Sequence, residues 1–173
     1  MPATFCLIGS QALAYRAVVR AEVAAGARLC DHTQTHPLNL PQLSSSVISA
    51  QIRTGLQSVV TSSGGVKPLY FRAPGGNWSA LVERIATGFG LALLRWTVDP
   101  TDWSRPGTPL IVTRVLDQLR PGGVILLHDG GGDRSETVAA VRILIPELSA
   151  AGWRFGYPPA VVASAAAGAA QAG

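Results

Sequence analysis

The chain holds three histidines, and each stands where an imidazole can do chemistry. His32 and His36 lie four positions apart in Asp31-His32-Thr33-Gln34-Thr35-His36-Pro37. This segment follows a short apolar run, and a single helical turn there would aim both rings at one point. Two neutral imidazole nitrogens so placed suit zinc or a similar divalent ion, although a catalytic site also needs a third protein ligand and an open position for water. Isolated pairs of this kind are more often solvated loop residues, but here all three histidines fall at the ends of apolar runs, on what should be one face. His128 closes Gly123-Val124-Ile125-Leu126-Leu127-His128-Asp129, where a strand would hold it firmly enough to serve as general acid or base. The alternative is a core histidine bonded by backbone.

Two further segments carry polar groups in comparable positions. Arg72, in Phe71-Arg72-Ala73-Pro74-Gly75-Gly76, ends an apolar run and meets a rigid proline, so its guanidinium could hold a carboxylate through two parallel bonds. Alone it reads equally as an exposed turn arginine. Asp99-Pro100-Thr101-Asp102-Trp103 offers two acids and an indole, fitting an acid that orients a histidine beside an aromatic surface for a sugar. Acids also start turns at such places, and both readings stay open.

The elements that must position these residues are legible as punctuation. Apolar runs at 3–9, 27–31, 69–72, 91–97, 123–128 and 153–157, bounded by Gly, Pro, Asp or Asn, read as six strands. Between them lie helical periodicities, the clearest at Ile48, Ile52, Leu56 and Val59, at Ile111, Val115 and Leu119, and at Val138, Val141, Ile145 and Leu148. Thr108 followed by Pro109 reads as an N-cap and first turn, Gly26 and Gly152 as helix stops, and Pro146 as a kink or an early end. Five helices alternating with six strands argue for an α/β fold, a parallel sheet covered by helices that is either open or closed into a barrel. In either form the chemistry lies beyond the C-terminal strand ends. His32, His36, Arg72, Asp99, Asp102 and His128 all fall there.

Composition narrows the class. With 47% hydrophobic and 14% charged residues the chain suits one globular domain, expected over residues 1–158, with an Ala/Gly-rich tail at 159–173. A net charge of +4 leaves an anionic partner conceivable. The basic residues are nevertheless scattered, with no run of Lys and Arg and no RNA-binding signature, so no nucleic-acid partner is expected. No apolar run is long enough to span a bilayer, and nothing at the start resembles a signal peptide. Cys6 and Cys30 are too few for a disulfide framework and lack metal spacing; they read as small buried residues that could pair if their strands are neighbours. A serine nucleophile elbow and an HExxH helix are both missing. Gly88 and Gly90 lack the third glycine of a dinucleotide fingerprint, and Gly130-Gly131-Gly132 lacks the Lys-Ser or Lys-Thr of a phosphate loop.

Taken in order from about Ala3 to Tyr157, the segments resemble the NodB-homology polysaccharide deacetylases, carbohydrate esterase family four. His32-Thr33-Gln34-Thr35-His36-Pro37, Arg72-Ala73-Pro74-Gly75, Asp99 to Trp103 and Leu126-Leu127-His128 match four of its five motifs. The resemblance implies an irregular seven-stranded (β/α) barrel, with this chain's six runs making all but the first strand. It implies a divalent metal, zinc or alternatively cobalt, held by His32 and His36. It also implies that Arg72 orients the catalytic base, that Asp102 holds the general acid His128, and that Trp103, Leu126 and Pro74 contact substrate. The substrate would be an N-acetylated polymer or oligosaccharide such as peptidoglycan or chitin oligomers, in an extracellular or cell-envelope setting. The alternative is a degenerate or truncated barrel that binds carbohydrate or metal without catalysis.

The family's first motif, Thr-Phe-Asp-Asp-Gly-Pro, would precede Met1, and with it the general base and the third metal ligand. Asp31 and Asp129 are near enough to substitute, or else make structural hydrogen bonds. The opening Met1-Pro2-Ala3-Thr4-Phe5 resembles a family segment read Val-Pro-Ala-Thr-Phe, so a valine codon taken as a start is the expected origin of that gap.

Overall fold

A computed structural model describes residues Met1–Val161; the Ala/Gly-rich tail at 159–173 lies almost wholly outside the described residues. The chain forms two compact units, one from Met1 to Leu94 joined by the segment from Gly156, the other from Arg95 to Phe155.

In the first unit, strands β1 (Thr4–Leu7), β2 (Arg28–Asp31), β3 (Tyr70–Phe71) and β4 (Ala92–Leu93) pair in sequence order as a parallel sheet. Each crossover is helical: α1 (Gly9–Ala14) and α2 (Arg16–Ala24), then α3 (Ser45–Ser63), then α4 (Ala80–Gly88). The parallel α/β class is therefore as the alternation implies. Helix α3 begins where the Ser44 hydroxyl accepts from Val47 N and stops at Gly64, whose φ of 80° a side chain would resist. Its Ile48, Ile52 and Val59 are wholly buried, as their spacing requires, and each such burial is worth about 1.5–3 kcal/mol. Ile48 and Ile52 pack with Phe71, Val82 and Leu91, while Val59 packs with Leu29, Ala12 and Val19.

Gly26 ends α2 as its position suggests: Gly26 N reaches Val23 O at 2.9 Å and Ala27 N reaches Glu22 O at 3.0 Å, the paired bonds that close a helix over a left-handed residue. Cys6 and Cys30 stand opposite each other in the β1–β2 register and form a disulfide. The final segment is extended and clasps the start of the sheet, with Pro158 O accepting from Tyr70 Oη at 2.6 Å and Arg28 Nη1 at 3.3 Å.

The second unit has helices α5 (Thr108–Gln118) and α6 (Ser135–Ala150), packed through Ile111, Val115, Ala140, Leu144 and Leu148. Here the strand expectations need correction. The run 123–128 is not a strand: its backbone meets Val98 through one parallel bridge at Ile125. The pairing stops because the next amide available to it, His128 N, is taken by the Asp102 carboxylate at 2.8 Å. The run 153–157 is not a strand either, since Trp153 N closes α6 on Leu148 O and Pro158 has no amide to give. Gly107, with φ 96°, caps α5 in place of Thr108, whose hydroxyl instead donates to Glu136 O. Pro146 sits within α6, which runs on to Ala150. The carbonyl it orphans belongs to exposed Arg142, where water can serve it.

Candidate active site

In the first unit the loop after β2 carries His32 and His36. It is not the helical turn expected. Thr33 and His36 adopt φ of 66° and 60°, costly for side-chain-bearing residues, and a dense set of bonds holds them there. Thr33 is fully buried; its amide donates to Asp31 Oδ1 at 3.1 Å, its hydroxyl accepts from His36 N at 3.0 Å, and its carbonyl accepts from Gly9 N at 2.9 Å. The loop folds the two imidazoles together edge to face, with centroids 4.7 Å apart.

His32 Nδ1 lies 2.7 Å from the carbonyl oxygen of Arg72. A carbonyl can only accept, so Nδ1 bears the proton and Nε2 carries the lone pair. Arg72 N in turn donates to Asp31 O at 3.0 Å, so the β2–β3 ladder sets that carbonyl's direction. The Arg72 side chain donates from Nε to Leu94 O at 3.2 Å. Burial lowers its pKa to about 10, which keeps it charged at neutral pH.

Asp31 is fully buried, and its Oδ2 has no hydrogen-bond partner. Burial, opposed by bonds from the Thr33 and His32 amides, pushes its carboxyl up to about 8. At neutral pH it is chiefly protonated and ill-suited as a charged ligand. Asp129 is exposed. The donor chemistry thus fits two imidazole ligands with one tautomer set by its neighbour, while no group of three or more His, Cys, Asp or Glu among the described residues is placed to hold a metal.

In the second unit the ambiguity between Asp99 and Asp102 resolves into two roles. Asp99 is the turn former: its Oδ1 accepts from Thr101 N at 2.8 Å. Asp102, fully buried, opens the 3-10 turn Asp102–Ser104. Its Oδ1 faces His128 Nδ1 at 2.7 Å, and its Oδ2 accepts from His128 N at 2.8 Å and Thr137 Oγ1 at 2.9 Å. Burial alone would raise the carboxyl's pKa, but the His128 side-chain and backbone bonds, the His128 charge and the Thr137 hydroxyl together bring it below the usual value. The acid stays ionised, His128 Nδ1 keeps its proton, and Nε2 is free to exchange one. Such a dyad can act as general acid or base.

Thr101 and Arg105, which flank this turn, have φ of 54° and 55°. With Thr33 and His36 they are the four non-glycine residues of positive φ among those described. All four lie in the two loops that carry the imidazoles and the dyad, where strain of this kind tends to collect. Of the residues expected to meet substrate, Trp103 is 57% exposed, Leu126 only 7%, and Pro74 is buried.

Several partners went unnoticed in the sequence. Thr137 and Arg134 act on residues about thirty positions away, with no local signal. Gly55 did leave one, a glycine inside an apolar helix, which usually has a packing reason. A Cβ there would stand 2.7 Å from the Thr33 carbonyl carbon and 3.0 Å from Gln34 N.

The family model for polysaccharide deacetylase matches residues 1–94. The chitooligosaccharide deacetylase of Bradyrhizobium sp. (strain ANU 289) is 36% identical over 164 residues, covering 88% of this chain and 74% of that protein. Among solved structures, a family 4 carbohydrate esterase from Streptomyces lividans in complex with acetate superposes with a TM-score of 0.80 at 32% identity, over 88% of this chain and 76% of that one. A family 4 pseudoenzyme from Bacillus anthracis gives 0.82 at 29% identity, over 89% and 53%.

Proposed function

Because the chain belongs to the polysaccharide deacetylase family, we propose that it is a carbohydrate deacetylase, a hydrolase that removes acetyl groups from an N-acetylated glycan such as chitin oligomers. The observation that carries this reading is the Asp102–His128 dyad, a buried ionised acid against an imidazole whose Nε2 is left free. In this reading residues 1–158 constitute the deacetylase domain.

His32 and His36 would hold a divalent ion, zinc or alternatively cobalt. When bound, such an ion supplies Lewis-acid activation of water and of the acetyl carbonyl. His32 is kept in the ligating tautomer by the Arg72 carbonyl, and the charged Arg72 side chain adds positive potential beside it. His128 delivers the proton that the departing amine needs, and Asp102 stabilises the imidazolium before that transfer. Trp103 offers an open indole face for a sugar ring, and Leu126 and Pro74 would be further substrate contacts.

The test is acetate release from N-acetylglucosamine oligomers with added zinc or cobalt. Release that disappears in His128→Ala supports the proposal. A second reading, a barrel that binds carbohydrate or metal without hydrolysis, is favoured by the lack of a three-ligand group among the described residues and by the likeness to a pseudoenzyme. Oligosaccharide binding by calorimetry with no acetate released under either metal would select it.

A further inference from the structure

Arg134 precedes α6, and its guanidinium hydrogen bonds go to backbone carbonyls. Nε donates to Gly130 O at 2.8 Å, Nη2 to Gly131 O at 3.2 Å, and Nη1 to both Trp103 O at 3.1 Å and Asp102 O at 3.3 Å. The first two carbonyls belong to the loop directly after His128, and the other two to the turn that carries Asp102. One side chain therefore ties together the two segments whose meeting makes the dyad.

The Asp102 turn has other ties, its buried carboxylate to His128 and Thr137 and Arg114 Nη1 to Pro100 O, but the loop after His128 has few. Residues 129–133 are exposed, and a Cβ at Gly130 or Gly132 would meet nothing, so no packing orders that loop. Gly131 and Gly132, with φ of 81° and 125°, bend it through conformations that allow many alternatives. The Asp102 turn is bracketed by Thr101 and Arg105 in left-handed conformations that must be restrained from outside. A planar fork of five N–H directions can satisfy four converging carbonyls, whereas an ammonium with three donors cannot.

We propose that Arg134 is the positioning residue of the acid, holding the loop after His128 against the Asp102 turn so that Nδ1 stays on the carboxylate and Nε2 stays free to donate. The positional role rests on the geometry; its consequence for turnover rests on the deacetylase reading above. Arginine here touches neither the imidazole nor the carboxylate through any of these four bonds, and acts through the backbone of both.

The experiment uses the full chain with ¹⁵N-labelled histidine, as wild type, Arg134→Gln, Arg134→Lys and, as a charge control on exposed α6 surface, Arg142→Gln. Ring ¹⁵N shifts, recorded where His128 is neutral, report its tautomer, and acetate release reports kcat and KM. The wild type and Arg142→Gln should hold the Nδ1–H tautomer. Arg134→Gln should give a mixture with Nε2–H while α-helical circular dichroism is retained, and kcat should fall about tenfold with little change in KM, a misplacement effect. Arg134→Lys, which preserves the charge and most of the stem, should give the same mixture and is read alone if Arg134→Gln does not fold. An unchanged tautomer in the folded Arg134 variants, or an equal change in Arg142→Gln, overturns the proposal. If the wild type releases no acetate, the deacetylase reading fails while the tautomer comparison still decides the role of Arg134.

Discussion

The two units position their imidazoles by different means. In the first, backbone does the aiming: a continuous parallel ladder delivers the Arg72 carbonyl to His32 Nδ1, and a loop closed by amides and one threonine sets His36 beside it. In the second there is one β-bridge, and side chains do the aiming, through three donors on Asp102 and four carbonyls on Arg134. The difference matches the roles proposed for the two sites. A metal ligand needs a lone pair pointing in a constant direction, which a ladder supplies. A proton donor needs an ionised partner in a dry place, and a carboxylate is kept ionised there only by several donors.

The contrast is broken most directly by deleting imidazoles. His32→Ala or His36→Ala should abolish specific zinc binding in calorimetry, while His128→Ala should keep the metal and lose turnover roughly a hundredfold. Unaltered zinc affinity in both first-unit variants would remove the distinction.

A smaller effect separates the two kinds of support. Gly55→Ala forces a methyl against the Thr33 backbone, so it should cost about 1–3 kcal/mol of stability and weaken zinc binding. Thr137→Val takes one donor from Asp102; it should cost about 1–2 kcal/mol and reduce turnover with zinc affinity unchanged. Denaturant melts paired with zinc titrations check both, and a loss of zinc affinity in Thr137→Val would contradict the assignment.

The last effect is one of pH, and the two buried acids should show opposite signs. Asp31 is raised to about 8, so the native state keeps that proton where the unfolded chain has lost it. Its stabilising contribution is full below about pH 4 and is lost as pH rises toward 8. Asp102 is lowered, so its contribution is present above the ordinary carboxylate range and is lost as pH falls below it. Asp31→Asn should flatten the decline in melting temperature between pH 4 and 8, a gain on the order of several kcal/mol at the upper end. A parallel, undiminished decline in that variant would show that another group governs it.

From its sequence alone this protein disclosed what depends on neighbours along the chain. Apolar periodicity placed α3, α5 and α6, glycine marked where α2 and α6 stop, and alternation implied the parallel sheet, because these features are written within a turn or two of helix or strand. The ordered motifs likewise singled out His32, His36, Arg72, Asp102 and His128 as candidates. The tertiary structure decided which groups meet: the Arg72 carbonyl on His32, Cys6 on Cys30, and Thr137 and Arg134 around the acid, while the Asp102–His128 contact it shows is the pair that the motifs implied. It also decided that 123–128 would not become a strand, since its last amide binds a carboxylate contributed from 26 residues earlier. Periodicity records which face of an element is apolar, whereas a hydrogen bond between distant segments exists only once the chain has brought donor and acceptor within about 3 Å in the right direction.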